Sequence, residues 1–441
     1  MTWTSHPVAQ ICGEVRAPGD KSCSHRALIL AGLAEGTSTI SGLLEGDDVL
    51  RTADAMAALG AGVARTAPGQ WRVEGRGRSG LTAPAAPLDF GNSGTGSRLV
   101  MGAVAGAGVE AGFTGDDSLR ARPMDRILAP LREMGLRDDA PPSGRLPFRF
   151  LAGSQLRAID YAPPVASAQV KSAILLAALG AQGTSQVREA RATRDHTERM
   201  LRGFGASLDV KTEPGGARRV RLAGGEKLGG VETGVPGDPS SAAFLAAAAL
   251  VSPKGNVLIE GVMSNSTRDG FFDVLGVFGA ALGAEAAGEA AGERLIDLHV
   301  ATPPRLVGAP VPERLVPAMI DEFPILAVVA AFAEGVTRVS GAQELRVKES
   351  DRIEAIIAML RANGVTCAPA PDGFVVEGCA GPPPGGGRVE TRHDHRIAMS
   401  ALVMGTAAQA PVSIDDGSMI ATSSPDFFSD MARLGADLRP A

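Results

Sequence analysis

The stretch APGDKSCSHRALIL, Ala17 to Leu30, sets Lys21, Ser22, Ser24, His25 and Arg26 directly before the apolar run Ala27–Leu30. Pro18 and Gly19 end whatever precedes them, and Asp20, Ser22 and Ser24 are N-cap residue types, so a helix starts here. The first N–H groups of a helix and its positive dipole end favour an anion, and Lys21 and Arg26 beside them point to a phosphate or a carboxylate. Taken alone, the stretch also reads as an ordinary capped helix with solvated charges. GNSGTGSR, ending at Arg98, approximates a phosphate loop but lacks the G-K-[ST] ending of a nucleotide P-loop, and its glycines equally make a tight turn. Asp321 opens the apolar run DEFPILAVVAAF, where a carboxylate can simply cap a helix. RVKESDRI crowds Lys348, Glu349 and Arg352 together; if it is a first helical turn, Lys348 and Arg352 share a face, as do Glu349 and Arg352.

Repeated elements must position these residues. Gly60, Gly135, Gly205, Gly279, Gly364 and Gly435 each follow an amphipathic run and read as the C′ residues of six helices, 70 to 85 residues apart. An acidic or hydroxyl residue near the first turn of each is expected to cap it. Upstream of each lies a second, almost wholly apolar helix followed by a strand-like run, as in SAILLAALGAQGTSQV and LAVVAAFAEGVTRVSG. A helix apolar on every side must be buried on every side, so six inner helices form cores that the closing helices and strands cover. The lead-ins to the inner helices are PGDKSCSHR, FGNSGTGSR, PVASAQVKS, PGDPSS, PAMIDEFP and RHDHR, all rich in polar or charged residues. Three parallel inner helices per domain would present three N-termini on one face, and two such faces opposed would make an anion-binding cleft.

Composition narrows the chemistry further. The 441 residues carry 43 basic and 49 acidic side chains, a formal net charge of −6, and only 4% aromatics, which speaks against nucleic acid and anionic membranes as partners. No apolar stretch is long enough for a bilayer and no signal peptide is evident, so a cytoplasmic protein is expected. Cys12, Cys23, Cys367 and Cys379 show no C-x-x-C spacing, which argues against a zinc site and a disulfide framework; Cys23 reads as a small packing residue.

PGDKSCSHRALIL, DFGNSGTGSRLV, RARPM, SAQVKSAILLAAL, MIDEFPILAV, RVKESDRI and DHRIAMS, in this order, resemble the motifs of the 5-enolpyruvylshikimate-3-phosphate (EPSP) synthase family across essentially the whole chain. The resemblance implies an α/β fold, a two-domain inverse α/β barrel of six βαβαββ units, three per domain. Domains 21–235 and 236–441 are expected, the latter completed by residues 1–20, with crossings near Asp20 and Pro236. It further implies transfer of the enolpyruvyl group of phosphoenolpyruvate to the 5-hydroxyl of shikimate 3-phosphate, through a tetrahedral intermediate, with release of phosphate. No metal or cofactor is implied, a monomer is expected, and the two small-molecule substrates are the expected partners.

Residue by residue, the resemblance places Lys21, Ser22, Arg26, Ser167, Ala168, Gln169, Arg194, Asp321 and Lys348 on shikimate 3-phosphate. It places Lys21, Asn92, Gly94, Thr95, Arg122, Gln169, Glu349, Arg352, His395 and Arg396 on phosphoenolpyruvate. Asp321 becomes the base for the 5-hydroxyl proton, Glu349 the proton donor to the methylene carbon, and Lys21 a mobile charge or proton donor. Asp394 is left to orient His395 or to cap a helix. Ala168 stands where many members carry a second serine, so only its backbone N–H can serve. Thr422 departs from a lysine common in the last unit, and one phosphoenolpyruvate cation is missing for it. Gly94 stands where glyphosate-tolerant members carry alanine, so sensitivity to that competitor of phosphoenolpyruvate is expected. Within the fold, a UDP-N-acetylglucosamine enolpyruvyl transferase is the alternative, disfavoured because TGDDSLRARP contains no cysteine. RNA 3′-phosphate cyclases share the βαβαββ plan, but the acidic net charge opposes an RNA substrate. A non-catalytic anion-binding scaffold would need the cations but not Asp321 and Glu349.

Overall fold

The computed structural model describes residues 1–213 and 215–440. The chain forms two compact units, one of Gly19–Pro236 with Ala290–Glu293, the other of Met1–Pro18, Gly237–Glu289 and the chain from Arg294 onward. The fold is mixed α/β, and each unit repeats one plan three times.

In the Gly19–Pro236 unit the inner helices are Lys21–Leu33, Gly94–Ala107 and Ala168–Ala178. In the other they are Pro239–Val251, Phe323–Phe332 and His395–Gly405. Every residue of Pro239–Val251 and of Phe323–Phe332 is buried, as expected of sequences with no polar face. The closing helices are Asp47–Ala58, Asp125–Glu133, His196–Gly203, Gly270–Val277, Arg352–Ala362 and Phe427–Arg433. The six glycines that follow them adopt φ between 76° and 110°, a backbone region that side chains disfavour, so the residue type itself ends each helix there.

Capping differs from the sequence expectation. Gly46 and Met124 hold the N-cap positions of Asp47–Ala58 and Asp125–Glu133 and bring no capping oxygen. Asp351 does cap the closing helix Arg352–Ala362 by accepting the Glu354 N–H, and on the inner helices Asp20, Ser93, Ser167, Asp238 and Asp394 each accept a hydrogen bond from a backbone N–H of the first turn. The first N–H groups of a helix have no partner within it, and these side chains satisfy some of them.

Parallel strand pairs flank the inner helices. Leu88–Asp89 pairs parallel with Ala111–Thr114 across Gly94–Ala107, and Arg388–Val389 pairs parallel with Val412–Ile414 across His395–Gly405. The first repeat of each unit takes its parallel strand from far along the chain. Glu232–Gly234 pairs with Glu35–Ser41, and Ile11–Arg16 pairs with Gly255–Ser264. Antiparallel strands complete each sheet, for example Gln70–Arg76 between Glu35–Ser41 and Gly62–Ala67.

Glycine also sets how closely inner helices approach. Gly102 faces Ala173 so tightly that an added methyl would lie 2.4 Å from the Ala173 carbonyl oxygen, and one at Gly106 would lie 2.7 Å from that of Leu176. Both obstacles are backbone and cannot swing aside. Gly102→Ala therefore destabilises the protein by about 1–3 kcal/mol through overpacking, although alanine is worth about 1 kcal/mol more than glycine inside an unhindered helix. Urea unfolding of the two proteins checks the sign, and an unchanged or raised midpoint would show that the helices separate freely.

Candidate active site

The Gly19–Pro236 unit gathers its candidate residues at the starts of its three inner helices. Lys21 is the first residue of Lys21–Leu33, below a cap in which Asp20 accepts the Cys23 N–H at 2.7 Å. Its ammonium pairs with Asp48, a carboxylate that the sequence reading had not singled out. Arg26 is buried one turn further on, where it donates to Ser22 O at 2.8 Å, Thr197 Oγ1 at 2.7 Å and Ser172 Oγ at 2.9 Å. His25 sits beside Thr52, Nδ1 to Oγ1 at 2.8 Å; burial, then the charges of Lys21 and Arg26, push its pKa well down, so it is a neutral imidazole. Burial and Asp20 push the Cys23 thiol well up, which keeps it protonated and unreactive.

The second helix start is a web of polar contacts. Arg122 donates to Asn92 Oδ1 and to Ser118 Oγ at 3.2 Å, and Asn92 Nδ2 donates to Asp116 at 3.0 Å. Gln169, from the third helix start, donates to Thr95 Oγ1 at 3.0 Å and accepts from Arg98 Nη1 at 2.7 Å. Asn92 thus meets Arg122, and Thr95 meets Gln169. A methyl on Gly94 would lie 3.1 Å from Arg122 Nη1 and 3.5 Å from Arg98 Nη1, so the glycine lies beside two guanidinium groups. Arg98 was missed in the sequence, although it closes GNSGTGSR four residues after Gly94, one helical turn on. Ser167 caps the third helix through the Val170 N–H at 3.4 Å, and Ala168 begins it, offering a backbone N–H as expected. Arg194 lies in the loop ahead of His196–Gly203.

In the other unit the centre is Arg352, one of the largest fully buried side chains. Its Nε donates to Asp394 Oδ2 at 2.8 Å, Nη1 to Asp321 Oδ1 at 3.2 Å, and Nη2 to Glu349 Oε2 at 2.6 Å. Lys348 Nζ adds a second cation 3.4 Å from Asp321. Asp394 also caps His395–Gly405 through the Arg396 N–H at 3.0 Å, and Arg396 Nη1 donates to Asp321 O at 3.1 Å. Lys348 and Glu349 do not lie in a helical turn: the helix begins at Arg352, where Asp351 caps it, and an irregular segment precedes it, so tertiary contacts rather than helical spacing bring them to Arg352. Burial raises the Glu349 pKa, but Arg352, His395 and Lys348 outweigh it and hold the carboxyl well below its usual range. Glu349 is therefore ionised in this state, and its expected role as proton donor needs a proton from elsewhere. Arg352, ringed by three carboxylates, has little left to offer a ligand. Thr422, whose hydroxyl donates to Met419 O at 2.7 Å, supplies no cation.

Two buried groups, Asp20 with Cys23 and His196, and Asp195 with His196 and Glu293, bring metal-type ligand atoms within 4.8 Å of one another. His196 Nδ1 already lies 2.8 Å from Glu293 Oε1, and a protonated Cys23 is a poor ligand. Among the described residues no helix is long and apolar enough to cross a membrane.

The structure aligns over 100% of both chains with an EPSP synthase from Acinetobacter baumannii, at TM-score 0.89 and 42% identity. The enolpyruvyl transferase NikO from Streptomyces tendae shares the fold at TM-score 0.75 and 18% identity, with 99% and 98% of the chains covered. The class is thus that of the two-unit enolpyruvyl-transferase fold. The profile of the family described as EPSP synthase (3-phosphoshikimate 1-carboxyvinyltransferase) matches residues 6–431. The 3-phosphoshikimate 1-carboxyvinyltransferase of Hyphomonas neptunium is 66% identical over 439 residues, with 100% of each chain covered. The chain belongs to the EPSP synthase family.

The ionised Glu349 has a consequence for stability. Its folded pKa lies below its unfolded value of about 4.3, so the unfolded chain takes up the proton first and the stabilisation present above that pH is lost as the pH falls. Glu349→Gln is expected to lower the melting temperature at pH 7, and the gap to wild type is expected to narrow between about pH 5 and pH 3. Calorimetric scans across that range check it; a gap that widens on acidification would contradict the assignment.

Proposed function

We propose how the residues of each unit serve the reaction that family membership entails. The chain is an enzyme of aromatic biosynthesis that transfers the enolpyruvyl group of phosphoenolpyruvate to shikimate 3-phosphate. The Gly19–Pro236 unit binds the substrate anions: Lys21, Ser22, Arg26, Ser167, Ala168, Gln169 and Arg194 hold shikimate 3-phosphate, and Asn92, Gly94, Thr95 and Arg122 hold phosphoenolpyruvate. Helix N-termini and guanidinium groups suit both phosphates and the carboxylates. The other unit supplies the proton transfers and further cations, Lys348 toward shikimate 3-phosphate and His395 and Arg396 toward phosphoenolpyruvate. A monomer acting in the cytoplasm belongs to the same reading.

The observation that carries the proposal is the Arg352 guanidinium between Asp321 and Glu349, which holds two carboxylates of different surroundings within reach of one group. Asp321 takes the proton of the 5-hydroxyl as its oxygen bonds to C2 of phosphoenolpyruvate, while C3 gains a proton and the tetrahedral intermediate forms. Departure of phosphate with loss of a C3 proton restores the double bond. Incoming anions offset the cations that keep Glu349 ionised and raise its pKa, which lets it carry the C3 proton in both directions. Arg352 sets the geometry of this pair, a reading that moves it from direct contact with phosphoenolpyruvate to a positioning role.

Asp321→Ala and Glu349→Ala are each expected to lower kcat by about 10²–10⁴-fold with substrate binding retained. Phosphate release from phosphoenolpyruvate measures turnover and calorimetry measures binding. Release with UDP-N-acetylglucosamine but not with shikimate 3-phosphate would replace the substrate assignment. Activity within a few-fold of wild type would remove the residue from the mechanism.

Gly94 has an unstrained backbone, so alanine is accommodated there and the new methyl presses on the Arg122 guanidinium 3.1 Å away. Wild type is expected to be sensitive to glyphosate, and Gly94→Ala to weaken glyphosate at least about tenfold while changing the phosphoenolpyruvate KM much less, a difference of about 1.4 kcal/mol. Steady-state inhibition and Michaelis constants decide it; equal losses for both ligands would move the discrimination elsewhere.

A further inference from the structure

Lys171 is fully buried, although lysine is rarely found so. Its ammonium lies 2.8 Å from Glu189 Oε2, 2.9 Å from Glu198 Oε1 and 3.5 Å from the carbonyl oxygen of Thr193. Glu189 ends the strand Thr184–Glu189, Glu198 lies in the first turn of His196–Gly203, and Thr193 lies in the loop between them. Thr193 is tied down twice, because its hydroxyl also donates to Glu189 Oε1. The next residue is Arg194.

The neighbouring turn of the same two helices does the same for Arg26. Ser172, one residue after Lys171, and Thr197, one residue before Glu198, lie 2.7 Å apart, and both accept from the Arg26 guanidinium. Consecutive residues on Ala168–Ala178 and on His196–Gly203 therefore govern two arginines, one directly and one through its loop.

A buried lysine with two buried carboxylates is a poor route to stability, since apolar side chains of similar volume commonly do as well. What it offers is a fixed geometry. We propose that Lys171, with Glu189 and Glu198, is a positioning residue that holds the Thr193–Arg194 loop so that Arg194 meets the phosphate of shikimate 3-phosphate. This rests on the reading above in which Arg194 holds shikimate 3-phosphate.

The test is a double-mutant cycle on the full-length enzyme, with KM and kcat read for each substrate. Arg194→Ala in the wild-type background is expected to raise the KM for shikimate 3-phosphate. Lys171→Met is expected to raise the same KM about tenfold with kcat and the phosphoenolpyruvate KM nearly unchanged, and Arg194→Ala is expected to add little in that background. Thr193→Val removes the hydroxyl tie to Glu189 while leaving Lys171 with both carboxylates and the residue 193 carbonyl, and it is expected to couple to Arg194→Ala in the same direction, which covers a Lys171→Met protein that does not fold. If Arg194→Ala raises the KM by the same factor in every background, the positioning role is overturned while the phosphate assignment stands. If Arg194→Ala leaves that KM unchanged in wild type, the phosphate assignment itself fails and the proposal fails with it.

Discussion

A helix with no polar face can be stable only when other elements enclose it, and this protein is built around six of them. Enclosure of the helix sides leaves the first N–H groups without intrahelical partners, so they must find acceptors, and their partial positive charge favours an anion. Five of the six inner helices meet this with an Asp or Ser cap. The same end that needs a cap attracts anions, and the chain places Lys21, Arg26, Arg98, Arg352 and Arg396 within the first turns of, or against, such helices. Core formation and anion binding are thus two results of one arrangement, in which apolar side chains fill the interior and the polar lead-ins collect where each helix begins.

Charge buried in this way must be balanced locally, and the two units do so differently. In the Gly19–Pro236 unit hydroxyls and an amide hold Arg26, through Ser172 and Thr197, and Arg122, through Asn92 and Ser118, while Lys21 pairs with Asp48 and Lys171 with Glu189 and Glu198. Neutral partners orient a guanidinium without neutralising it. In the other unit Arg352 is matched by Asp321, Glu349 and Asp394, so the cation is spent on ordering carboxylates. The first pattern suits holding phosphate and carboxylate groups; the second suits holding proton-transfer groups at fixed positions and shifted pKa. Asp394 links the two tasks within its unit, since it both caps His395–Gly405 and clamps Arg352.

Much of this was legible in the amino-acid order because it depends on neighbours in the chain. The six C′ glycines, the apolar inner helices and the polar lead-ins are local patterns, governed by backbone conformation and by side-chain burial over one or two helical turns. Asp321, Glu349, Arg122 and Gln169 were identifiable as candidates because their motifs are short and ordered. Capping was misjudged for a related reason: the rule that acidic residues cap helices does not say which of them accept a first-turn N–H.

Tertiary structure decided what no local pattern encodes, namely the choice of partner among residues far apart. Arg352 and Asp394 are 42 positions apart, Arg26 and Thr197 are 171 apart, and the strand that completes the first sheet of each unit comes from a distant part of the chain. Lys348 and Glu349 come to Arg352 through an irregular segment whose course is set by packing, which is why helical spacing described them wrongly. Arg98 and Lys171 are not singled out by the sequence, because the burial that gives each its meaning arises only when another element closes over it. The sequence by itself determined the helices, their order, the residue types gathered at their starts and the family; packing determined which charges meet, because Coulomb and hydrogen-bond energies depend on distance in space and not along the chain.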